Sequence, residues 1–137
     1  MKVLPFAAFL NFIFETLNDI SFKIKNPDLK SSINECCSKL AVWVKIFEEL
    51  FQKPLNLDKL TIEEREEVKE LDNSFELNYQ QAIDIKVGLI DLKKSLTEVH
   101  ESPLLEDLKI FKKLITMVSL IDRLILDLDY HIDSQKV

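Results

Sequence analysis

The chain has 137 residues, 47% of them hydrophobic and 31% charged, which fits one domain over residues 1–137 and excludes a disordered or collagen-like polymer. One glycine and four prolines leave too little turn chemistry for a sheet or a phosphate-cradling loop, so the expected class is all-α. The formal net charge of −6 disfavours nucleic acid as a preferred partner, because the lysine groups (Lys23 with Lys25, Lys93 with Lys94, Lys109 with Lys112 and Lys113) are small.

The first predicted helix follows Pro5, with Phe6, Leu10, Ile13, Leu17, Ile20 and Ile24 stepping by four and three until Asn26-Pro27. Its opening, MKVLPFAAFLNFIF, imitates a secretory leader, but Asn11 and Glu15 interrupt the apolar run and no small-residue cleavage site follows. It is also too short to span a bilayer, and a lipid-facing role for Phe6, Phe9, Phe12 and Phe14 would need a more basic polar face. The expectation is a core helix, with no stable membrane insertion. A second helix runs from about Asp28 to Lys53 on the stripe Ile33, Cys37, Leu40, Val44, Phe47 and Phe51, and Pro54 stops it. Adjacent Cys36 and Cys37 point about 100° apart on a helix and cannot pair, so they read as reduced core thiols in a cytoplasmic protein.

Residues 54–60, PLNLDKL, form the longest connection, and Thr61-Ile-Glu-Glu64 then matches a capping box. From there Val68, Leu71, Phe75, Asn78, Ala82, Ile85, Leu89, Leu92, Leu96 and Val99 keep one rhythm. Asn73 with Glu76 offers a further cap, but the stripe crosses it in phase. The pattern predicts one third helix of roughly 38 residues, about 57 Å long. Ser102-Pro103 starts the last helix, which carries Ile110, Leu114, Met117, Ile121, Leu124 and Leu128 on one row, with a second apolar row beside it.

Short links at 26–28 and 100–102 make two antiparallel pairs, and the expected architecture is an up-down-up-down four-helix bundle with a long third helix. The long second pair then exceeds the first and requires a cover. Ile83, Val87 and Ile90 form an extra stripe on helix three beside Gly88, and Trp43 flanks the seam of helix two as an aromatic anchor. These four are the predicted partner-binding residues of a non-enzymatic interaction module, whose partner is another protein or a second copy, making a homodimer. The acidic surface favours a basic partner face.

An enzymatic alternative rests on Arg123-Leu-Ile-Leu-Asp-Leu-Asp-Tyr-His131. This segment resembles the arginine-histidine signature of HEPN ribonucleases, an all-helical family, although one residue more separates the pair here than that signature allows. The resemblance implies metal-independent RNA cleavage, with Arg123 stabilising phosphate charge and His131 acting as base or acid. On the residues alone, the same stretch reads as a wet helix end in which Asp127 reaches Arg123 and His131 at four-residue spacing. No cofactor or metal is expected: neither His100 nor His131 follows a glutamate three residues earlier, and there is no closely spaced His/Cys quartet. His100 reads as a helix-end cap.

Overall fold

Asn26 and Pro27 divide the first two helices as the sequence predicts. In the computed structural model, which describes residues 3–52, 61–64, 66 and 77–135, α1 spans Val3–Lys23 and α2 spans Pro27–Phe51. Asn26 is extended, and its side-chain oxygen accepts from the Asp28 and Leu29 amides at 2.9 and 3.1 Å. Pro27 occupies a first-turn position where a missing N–H costs nothing. Gln52 ends α2 in the left-handed region at φ 55°, just before Pro54, which lies outside the described residues. Phe6 meets Phe47 edge to face at 6.2 Å near one end of this pair, and the Ser21 hydroxyl donates to the Asn34 side chain near the other, so the helices run antiparallel.

The long third helix does not form as expected. Leu77 and Asn78 are not helical, and α3 spans Tyr79–His100. Asn78 is extended (φ −72°, ψ 165°) and closes a capping box: its oxygen accepts from the Gln81 amide at 2.8 Å, while Gln81 Oε1 accepts from the Asn78 amide at 3.1 Å. Capping satisfies amides that a helix start leaves orphaned, worth about 1 kcal/mol, whereas continuing the helix would press a carboxamide into an apolar seam. Apolar residues in phase on both sides of Asn78 had hidden this break. The other predicted box is present, with the Glu64 amide donating to Thr61 Oγ1 at 3.1 Å and the Thr61 amide to Glu64 Oε1 at 3.3 Å. The connection 54–60, the stripe residues Val68, Leu71 and Phe75, and the Asn73–Glu76 cap lie outside the described residues.

The last helix also starts later than Ser102-Pro103 suggests. Ser102 Oγ accepts from the Leu104 amide within a turn, and α4 spans Leu108–Ser134 behind an N-cap at Asp107, whose carboxylate accepts from the Lys109 and Ile110 amides. A carboxylate suits the positive end of a helix better than a hydroxyl does, and Asp107 takes the cap. The four long helices among the described residues hold 21, 25, 22 and 27 residues, about 32 to 41 Å each, so the length mismatch expected between the pairs is absent from them; residues 62–64 and 66 are helical as well.

Within the described residues no strand occurs, and the fold is all-helical. Lys93 pairs with Asp122 at 2.6 Å and Lys86 with Asp129, which sets α3 and α4 antiparallel. Trp43 packs on Gly88, while Leu29 and Val99 flank a small cleft, so α2 and α3 are antiparallel too. Lys113 reaches Asp19 at 4.0 Å, tying α4 to α1. Leu10, Ile13, Leu17, Ile33, Leu40, Leu89, Leu96, Leu114 and Ile121 fill the shared interior, each worth about 1.5–3 kcal/mol when taken from water. Among the described residues no helix is long and apolar enough to cross a membrane.

Candidate functional site

The four predicted partner-binding residues do not share one surface. Trp43 is half-buried, with its six-membered ring lying against the Cα of Gly88 between α2 and α3, so it seals two helices together. Ile83 is half-buried against the core. Val87 and Ile90 are 56% and 46% exposed, on the side of α3 away from its buried stripe.

Those two belong to a face built jointly by α3 and α4. Residues three, four and seven apart share a helix face, which groups Ile83, Val87 and Ile90 with Lys86, Lys93 and Lys94 on α3. The ion pairs fix the register: Lys86 is level with Asp129, and seven residues on, Lys93 is level with Asp122. Ile90 therefore stands level with Ile125, and Leu126, 63% exposed, lies just outside it. Where α3 meets α4 the charges divide by helix, Lys86 and Lys93 on α3 against Asp129 and Asp122 on α4. Asp84 and Asp91, three before and four after Val87, border the outer edge of this face, and Glu98 lines the cleft against α2. All four ion-pair side chains remain between a third and a half exposed.

Sequence reading missed Leu126 and the two cross-helix pairs. Leu126 carried a faint signal, an apolar residue out of phase with Leu124 and Leu128. The pairs carried none, since their meeting depends on register between helices.

Arg123 and His131 turn to different partners. Arg123 is exposed, and its Nε lies 3.8 Å from Asp127, the helical pair expected from spacing. His131 is 4% exposed, and its Nε2–H donates to the Leu77 carbonyl at 2.8 Å. The Gln135 amide donates to the same carbonyl at 3.3 Å, and the His131 carbonyl accepts from Ser134 Oγ. An imidazole nitrogen held in this way ties the end of α4 to the segment preceding α3, and the ring is buried from solvent.

His100 closes α3 with its ring edge-on to Phe111 at 5.9 Å, and its buried Nδ1 has no hydrogen-bond partner among the described residues. Both cysteines are free and buried. Burial pushes the Cys36 thiol up to about 11, helped by the neighbouring Cys37, and burial raises Cys37 as well. Neither is an activated nucleophile. Among the described residues no group of three or more His, Cys, Asp or Glu is arranged to hold a metal ion.

A shallow cleft of about 560 Å³ opens where the α1–α2 and α3–α4 links meet, with Lys23 and Lys25 facing Glu106 and Asp107. Its charges are mixed and concentrate no single sign. A second groove of about 540 Å³ separates α1 from α4 and is lined by Phe12, Thr16, Thr116 and Met117 between charged rims. Set against protein-family models, curated proteins and solved structures, the chain matches none.

Proposed function

We propose that the chain is a non-enzymatic protein–protein interaction module: one up-down-up-down four-helix bundle over residues 1–137 that works in the cytoplasm, needs no cofactor, and pairs with a protein partner, foremost a second copy of itself. The observation that carries this reading is the exposure of Val87 and Ile90 on a helix whose opposite stripe already fills the core. A rigid helix spares association the cost of ordering its backbone, and contiguous groups of exposed apolar side chains mark association surfaces. Val87 and Ile90 form the contact, Ile83 supports it from beneath, and Trp43 holds α2 against the back of α3.

Light scattering on the purified chain at micromolar concentration tests this. The expected mass is twice the 16.0 kDa of one chain, falling towards 16.0 kDa on dilution. A constant 16.0 kDa up to about 100 μM, an interaction free energy weaker than about 5.5 kcal/mol, overturns self-association.

A further inference from the structure

We propose that the second copy docks on the outer α3/α4 face about a two-fold axis parallel to the helices, the seam lysines Lys86 and Lys93 of each copy lying against Asp129 and Asp122 of the other. This rests on the self-association reading above and adds the face and the axis.

The argument is one of symmetry and charge. Lys86 and Lys93 on α3 stand level with Asp129 and Asp122 on α4. A two-fold axis along the seam preserves height and exchanges left for right, so α3 of one copy faces α4 of the other. Each lysine then meets, at its own level, the aspartate of the second copy as well as its own. A two-fold axis lying across the helices would instead set α3 against α3 and α4 against α4, lysine facing lysine and aspartate facing aspartate, which costs free energy at every level. Only the parallel axis is self-complementary, as an isologous contact requires.

The apolar groups fit the same geometry. Between the two charged levels, Ile90 of one copy comes opposite Leu126 of the other, twice over, with Val87 beside each contact. Partly exposed ion pairs on either side lose water as the faces close and gain a second counter-ion each. The chain as a whole carries −6, but the charges along this seam are matched, two lysines against two aspartates.

Charge-swapped chains test the proposal. In K86E/K93E both sides of the seam are acidic; in D122K/D129K both are basic. Each variant alone is expected to run as a monomer, and an equimolar mixture as a one-to-one heterodimer in native mass spectrometry. Circular dichroism checks that both remain helical. If either fails to fold, Leu126→Glu decides, because Leu126 is exposed and contributes little to the core; it is expected to weaken dimerisation at least tenfold. A wild-type chain that never dimerises overturns both this proposal and the reading it rests on. A wild-type dimer that survives Leu126→Glu, or swapped variants that each still self-associate, overturns the face and axis alone.

Discussion

His131 lies on the apolar rhythm of the last helix, one step after Leu128, and the reason becomes visible only with Leu77 in place. The carbonyl of Leu77 sits just outside α3, in a buried position where water cannot reach it, and the imidazole supplies the missing donor. A buried carbonyl without a partner costs about 1–3 kcal/mol, and Gln135 replaces only part of what the histidine gives. His131→Ala is therefore expected to lower unfolding free energy by about 1–3 kcal/mol in urea titration and to raise amide exchange over residues 78–82. RNA cleavage abolished by the same substitution, with stability unchanged, would favour the ribonuclease reading instead. The cysteines give a pH test. A thiol raised in the folded state keeps its proton more tightly folded than unfolded, so its contribution is complete below the ordinary value of 9.0 and is lost as pH rises through about 11. Urea midpoints should fall between about pH 9 and about pH 11, and Cys36→Ala should flatten that fall.

The contact between Trp43 and Gly88 decides how closely two elements approach. A Cβ at position 88 would clash with Trp43 Cζ2 and Cη2, so the position tolerates no side chain while Trp43 keeps its place. Alanine is the better helix former by about 1 kcal/mol, yet Gly88→Ala is expected to destabilise by about 1–3 kcal/mol through overpacking. Adding Trp43→Leu, which removes the obstructing ring, should make the alanine substitution neutral or favourable in a double-mutant cycle; additive effects would sink the account. The value of Gly88 as a close-approach point was legible in the chain, being its single glycine. Its occupant was not, because Trp43 is forty-five residues earlier and on another helix. Asn78 shows the opposite failure. It was visible as the one polar residue in an apolar seam, but spacing alone does not say whether such a residue interrupts a helix or merely wets it; the reciprocal bond with Gln81 makes that choice.

At the scale of the molecule, charge is sorted by helix. Lysines on one side of α3 and aspartates on the facing side of α4 cancel locally, while the net charge of −6 is spread elsewhere. Association built on such pairs weakens as ions screen them. Raising ionic strength from about 0.05 M to about 0.5 M shortens the Debye length from about 14 Å to about 4 Å and is expected to shift light-scattering mass towards the monomer. Dimerisation that strengthens with salt would mean that apolar contact alone drives it.

Composition and spacing by themselves determined that the chain is helical, which side chains line the interior of each helix, and where Asn26-Pro27 and Thr61-Glu64 punctuate it, because those properties depend on residues within a turn or two of one another. Tertiary structure decided where α3 and α4 begin, what His131 and Trp43 touch, and which lysine meets which aspartate. Each of those outcomes depends on the register between helices, a quantity set by packing over the whole molecule and carried by no short stretch of sequence.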